Sequence, residues 1–343
     1  MNRLSHLTVT TLLAALISLL STSCEDSFIF DYEGDCSVRY HIQFSYDMNM
    51  KFANAFANEV TSVSLYVFDE SGKLAYQAHE QGDTLATPGY GITLEMNEGN
   101  YELLAWCGVG NGESFAIPEA TVGVTTIEEM KCRMHRTHTN GQAYVDEDLR
   151  PLFHGQKRIT IENTPGTHYE TMYLTKNTNT VRVVLQHLSG EDVDPDNFTF
   201  EIQDFNGYMN YDNTLLDDEL IVYQPWSVSN GSADINADIY TATRGDKVNV
   251  ALAEMTIGRL CIGHNPVLVV RNVESQKVVL SIPLIDYALL VKGNYNREMK
   301  NQEYLDRQDE YNLTFFLDQS GSWISSVIII NSWRVVFNNE ILD

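Results

Sequence analysis

The 343 residues carry 22 Lys and Arg against 47 Asp and Glu, a formal net charge of −25, and 43% of them are hydrophobic. So acidic a chain repels nucleic acid and anionic lipid head groups, which argues against both as partners. The length suggests two domains, and the apolar content is ample for packed cores.

Arg3 opens the chain with a basic residue, and Leu7 to Leu20 follow without a charge. A bilayer span needs about 20 apolar residues, so this run reads as the core of a secretory signal rather than a transmembrane helix. Ser21, Thr22 and Ser23 then precede Cys24. Small residues directly before a cysteine are the mark of a lipoprotein signal, in which the thiol is acylated before cleavage. The box departs from its strictest form, since Ser21 holds the place where Leu is usual and Leu20 lies one further out. The competing reading is an ordinary secretory signal with an incidental cysteine. The segment predicts a signal peptide over residues 1–23, an acylated (palmitate-type) Cys24 and a lipidated linker over 24–35. Glu25 and Asp26 resemble surface-export signals of some Gram-negative lipoproteins, which points to the outer face of the outer membrane.

From residue 36 onward the dominant signal is period-two alternation. Val38, Tyr40, Ile42, Phe44 and Tyr46 share one face, and Val63, Leu65 and Val67 repeat the pattern before the turn Asp69-Glu70-Ser71-Gly72. Tyr101, Leu103, Ala105 and Cys107 follow Gly99; later, Phe198, Phe200 and Ile202 alternate, as do Tyr311, Leu313, Phe315 and Leu317. Half-buried strands produce this pattern, because successive side chains point to opposite faces. The chain is therefore predicted to be all-β, with sandwiches in tandem and few short helices. One short helix can start at the capping box Thr125-Thr126-Ile127-Glu128, and another has helical spacing over Leu284, Tyr287, Ala288 and Val291, with Gly293 to end it. The polar run Asn177-Thr178-Asn179 separates a strand near Tyr169–Leu174 from one over Val181–Gln186, so the boundary is set there: an N-terminal sandwich over 36–176 and a C-terminal one over 177–343. The expected cores are Val38, Ile42, Phe44, Leu65, Val67 and Leu103 in the first, and Val183, Leu185, Phe200, Ile202, Leu313 and Phe315 in the second.

Residues that could carry chemistry form weak patterns. Cys132, His135 and His138 offer zinc-type ligands, but nothing at familiar spacing completes a set of four, and Lys131, Arg133 and Arg136 would repel a cation. Asp192, Asp194, Asp196 and Asn197 alternate like a calcium loop, yet Asn197 stands where Gly is needed and Gln203 where Glu is needed; with Pro195 the run reads better as a turn. No metal or other cofactor is predicted. There is no nucleophile elbow, no His-Glu-x-x-His helix and no phosphate loop, so the chain is read as a non-enzyme. Cys36, Cys107, Cys132 and Cys261 allow three pairings or none. Asp83-Thr84-Leu85 resembles an acceptor sequence for O-linked glycans, with a polar loop as the plainer reading.

Several segments together resemble the FimB-type fimbrial anchor proteins, also called minor fimbrium anchoring subunits. They are Cys36–Asp47, Val63–Asp69, Gly99–Trp106, His187–Asn197, Tyr211–Asn213, Gln302–Arg307, Glu310–Asp318 and Ile330–Val336. Their order and their spread across the chain carry the resemblance. It implies two transthyretin-like β-sandwich domains, and a cell-surface lipoprotein that attaches a fimbrium to the outer membrane and limits its length. The implied partner is a fimbrial stalk subunit. The alternative is a surface glycan-binding lipoprotein, since 18 Tyr, 14 Phe and 4 Trp could supply sugar platforms; most placeable aromatics, however, alternate along strands as core residues do.

The C-terminal run breaks at Asn331-Ser332, between Val327–Ile330 and the alternating Trp333, Val335 and Phe337. The break could let the last strand bend away from its own sheet and present an edge to a partner. Subunits of the resembling type are joined by strand exchange, so Trp333, Val335 and Phe337 are the expected partner-binding residues. The competing reading is that this strand simply completes the second sandwich.

Overall fold

A computed structural model describes residues 37–110, 112–234, 247–293 and 297–336. Cys24, Cys36 and Phe337 lie outside them. The described chain is all-β, with short helices only at Phe56–Glu59, Leu284–Leu290 and Asn301–Arg307 and three brief 3₁₀ turns.

Two pairs of sheets face each other. In the first pair, a three-stranded sheet has the spatial order Gly166–Tyr173, Val38–Ser45, Gly91–Leu94. It packs on a five-stranded sheet ordered Thr175–Lys176, Phe153–Ile161, Gly99–Cys107, Ser62–Phe68, Leu74–Gln81. Between them lie Ile42, Phe44, Leu65, Val67 and Leu103, with Val38 at the margin, as the alternation predicts.

In the second pair, one six-stranded sheet runs Ser227–Asp234, Lys247–Gly258, Thr178–His187, Glu310–Leu317, Trp323–Ile330, Trp333–Val336. The other runs Val278–Pro283, Val267–Asn272, Phe198–Asp204, Ile221–Tyr223, Gln142–Val145, Thr137–Thr139. Val183, Leu185, Phe200, Ile202, Leu313 and Phe315 all belong to the cluster between them.

The strand Ser62–Phe68 is buried along its whole length. Val63, Leu65 and Val67 enter the first cluster, while Tyr66 and Phe68 point the other way into the second. Leu104 and Trp106 do the same beside Leu103, Ala105 and Cys107. The second face is covered by the excursion over 115–152, which contributes Phe115, Ile127, Met130, Cys132, Met134 and Leu152 to the larger cluster. Within that excursion, Gln142–Val145 pairs in parallel with Ile221–Tyr223, so strands from before residue 177 complete a sheet built mostly after it. Gly108 closes the approach: at φ +85° it sits where a Cβ would lie 1.9 Å from the carbonyl oxygen of Pro151.

The run Asn177-Thr178-Asn179 is buried and hydrogen-bonded, in contrast to a solvated joint. The side chains of Asn177 and Asn213 exchange hydrogen bonds at 2.6 and 3.2 Å, and a strand begins at Thr178. Around it Lys176 Nζ reaches Asp309 at 2.6 Å and Glu59 at 3.1 Å, and Arg307 donates to the Asp47 carbonyl at 2.9 Å while lying over the Phe52 ring. Buried polar groups need such partners, and here the partners come from both sides of residue 177. The capping box is real but sits one residue later than expected: Thr126 and Glu129 cap the turn Ile127–Glu129. The helix Leu284–Leu290 forms where its spacing predicts, burying Leu284, Ile285 and Ala288.

Asp204, at the end of the strand Phe198–Asp204, is 2% exposed. Its Oδ1 accepts from the Phe205 backbone N–H at 2.8 Å, Oδ2 has no hydrogen-bond partner among the described residues, and His264 stands 4.0 Å away. Burial raises its pKa from the ordinary carboxylate value to about 6, with the Phe205 N–H and His264 opposing. A folded-state pKa above the unfolded one means that the charged form is penalised in the fold above pH 6, and the penalty fades as pH falls toward 4. Asp204→Asn is therefore expected to raise folding stability at pH 7 by about 3 kcal/mol at most, and the melting temperature with it, the gain shrinking toward pH 4. Melting curves of both proteins from pH 4 to 8 check it; a gain that does not depend on pH would refute the assignment.

Candidate functional site

The C-terminal hairpin is built from the strands Trp323–Ile330 and Trp333–Val336, joined at Asn331 and Ser332, whose φ angles are +47° and +70°. Two central residues with positive φ make the tight hairpin turn whose twist matches that of paired strands. Asn331 is held by its own side chain, whose Oδ1 accepts from the Asn312 N–H at 2.7 Å. The sequence break is thus a turn, and the last strand folds back onto its neighbour with Ile330 opposite Trp333 and Ile328 opposite Val335. It does not bend away from its sheet.

This strand is nevertheless the outermost of its six, so among the described residues one of its backbone edges is unpaired. Trp333 is 58% exposed, whereas Val335 is partly buried against the larger cluster. Trp333 and Val335 share one face of the strand, opposite buried Ile330 and Ile328; Val335 packs on the core, while the Trp333 ring next to the turn stays largely in solvent. Such an edge can accept a further strand through backbone hydrogen bonds.

The other sequence candidates are dispersed. Cys132 is fully buried in the core, which pushes its thiol pKa far up. His138 is outside the core and meets Glu219 at 3.1 Å, while the His135 backbone N–H is bonded to Ser114. Arg136, between them, is nearly buried against Asp218 at 2.8 Å and Glu219 at 3.2 Å. Asp194 caps the turn Pro195–Asn197 by accepting from the Asp196 N–H at 3.0 Å, and Asp192 accepts from the Asn249 N–H at 3.0 Å, so this run is a turn as its proline suggests. Among the described residues no group of three or more His, Cys, Asp or Glu is placed to hold a metal. Cys107, Cys132 and Cys261 are free thiols. Thr84 is exposed in the 3₁₀ turn Asp83–Ala86, next to buried Leu85. No helix among the described residues is long and apolar enough to cross a membrane.

Sequence reading missed one surface feature. Tyr169 and Tyr173 are 67% and 62% exposed on the strand Gly166–Tyr173. Their period-two spacing was visible, but alternation alone does not say which face is covered.

The sequence model of the fimbrillin-A associated anchor proteins Mfa1 and Mfa2 matches residues 32–339. Comparison with the curated proteins gives no match. Among solved structures, a candidate adhesin from Bacteroides thetaiotaomicron is 32% identical, with a TM-score of 0.78 over 88% of this chain and 99% of that one. A candidate polysaccharide binding protein from the same organism is 31% identical, with a TM-score of 0.75 over 88% and 99%. The fimbrial anchor protein Mfa2 from Porphyromonas gingivalis is 16% identical and shares the fold, with a TM-score of 0.65 over 88% and 100%.

Proposed function

The chain belongs to the family of fimbrillin-A associated anchor proteins, and from that premise we propose that it is a cell-surface lipoprotein holding a fimbrium at the outer membrane. In this reading Cys24 carries the lipid, the stalk subunit is the partner, and the protein limits fimbrial length by ending the polymer at its base. Residues 36–176 and 177–343 are the two sandwich domains, with the excursion 115–152 lent by the first to cover the second. The observation that carries the reading is the family match over nearly the whole chain.

The partner contact is assigned to Trp333, Val335 and Phe337. The open edge beside exposed Trp333 supports strand addition there. The experiment is a pull-down of the stalk protein from intact cells, comparing wild type with Trp333→Ala plus Val335→Ser. Loss of co-purification is expected at a temperature where the isolated variant is still folded. Lower thermal stability with full stalk binding would assign the strand to the core alone.

A further inference from the structure

The three-stranded sheet of the first sandwich turns one face to its core and the other outward. Pairing sets His41 beside Tyr169, Gln43 beside Thr171 and Ser45 beside Tyr173, all on the outer face. Tyr169 and Tyr173 are four residues apart on one strand, roughly 13 Å along it. Large aromatics this exposed on a pleated face are not part of a core.

The face is organised. Tyr169 makes an edge contact with the His41 ring, centroids 5.6 Å apart at 72°. His41 is itself held between the Thr93 hydroxyl, 3.0 Å from Nδ1, and the Gly89 carbonyl, 3.1 Å from Nε2. It lies across Gly91, where a Cβ would come within 2.7 Å of Nε2. Next to this platform a pocket of about 500 Å³ opens, with Gln43, Asn54, Thr87, Thr171 and Tyr90 among its lining. None of the residues lining it is charged, on a protein with 47 acidic side chains. The charged groups described at the margins of the face are paired, Arg39 with Glu95 at 3.1 Å and Lys157 with Glu170 at 2.7 Å.

Two aromatic faces flanking amide and hydroxyl groups, with no charged side chain lining the pocket, match one ligand chemistry. A pyranose ring offers an apolar C–H face to an aromatic ring and hydroxyls to neutral donors and acceptors. We propose that the outer face of this sheet, from Tyr169 to Tyr173 and into the pocket beside Gln43, binds a neutral oligosaccharide. A charged glycan would find no counter-charge among the residues lining the pocket. An added peptide strand is disfavoured, because Lys157 already donates to the Thr171 carbonyl at 2.8 Å and is held by Glu170 at 2.7 Å, covering that strand's edge. The site is separate from the C-terminal edge and does not rest on the anchoring role.

The test is native affinity electrophoresis of the purified full chain in gels containing dextran, mannan or mixed-linkage β-glucan, with dextran sulfate as the charged counterpart. At least one neutral polymer is expected to retard the wild type, and dextran sulfate is not. Tyr169→Ala with Tyr173→Ala should weaken that retardation by about tenfold or more, and Gln43→Ala by a smaller factor, with melting temperatures unchanged because all three side chains lie outside the core. The proposal is overturned if none of the neutral polymers retards the protein, if the double variant migrates like wild type, or if dextran sulfate retards it equally. Loss of stalk co-purification in the double variant, without polysaccharide binding by the wild type, would make this face a protein contact and overturn it too.

Discussion

Replacing Cys24 with Ser is expected to move the protein from the membrane fraction to the soluble fraction or the medium, almost completely. The expectation rests on the apolar run Leu7–Leu20 and the small residues before Cys24. No helix among the described residues is long and apolar enough to cross a membrane. Each buried methylene contributes about 0.8 kcal/mol, so two or three acyl chains hold a protein almost permanently. The acidic body adds no attraction to anionic head groups. Fractionation of cells carrying Cys24→Ser, with immunoblotting of each fraction, reads the outcome. Retention of that variant at the cell surface, at the level of wild type, would show that something other than the lipid holds it.

The second large effect is expected at Trp106, which has no solvent exposure. Its indole Nε1–H donates to the Met130 carbonyl at 3.1 Å, and its ring meets His154 edge-on at 4.8 Å. Burial lowers the pKa of His154 to about 4, so near neutral pH the ring is uncharged, and Nε2–H donates to the Tyr211 carbonyl at 2.8 Å. Trp106→Ala removes a large ring from a packed site and strips the Met130 carbonyl of its donor. The loss should be about 3–5 kcal/mol. Trp106→Phe, which keeps most of the ring, should cost less. Leu103, Ala105 and Cys107 on the same strand line the other cluster, so the damage should be felt by both sandwiches in a single unfolding transition. Urea unfolding followed by tryptophan fluorescence and circular dichroism checks this. A cost below about 1 kcal/mol, against the range usual for such truncations, would mean that the excursion over 115–152 is not packed on this sheet.

The alternation Val38-Tyr40-Ile42-Phe44 and its counterparts determine which residues enter the cores, because a strand covered on one side must alternate. The segment Asp192–Asn197 was legible as a turn for a local reason as well: Pro195 and a capping Asp194 are enough to make one. Other features were not. Tyr66, Phe68, Leu104 and Trp106 are buried only because the chain over 115–152 lies over them, and the pairing of Gln142–Val145 with Ile221–Tyr223 spans a long stretch of sequence. Asn177 looks like a linker residue, yet its partner Asn213 satisfies it inside the protein. Tyr169 and Tyr173 follow the same period as core tyrosines and face solvent instead. By itself the sequence determined the all-β character, the core faces and the family. Tertiary structure alone decided which second faces are covered, how the last strand pairs and where aromatic surface stays open. Periodicity reports that one side of a strand is apolar, while what covers the other side depends on residues far along the chain.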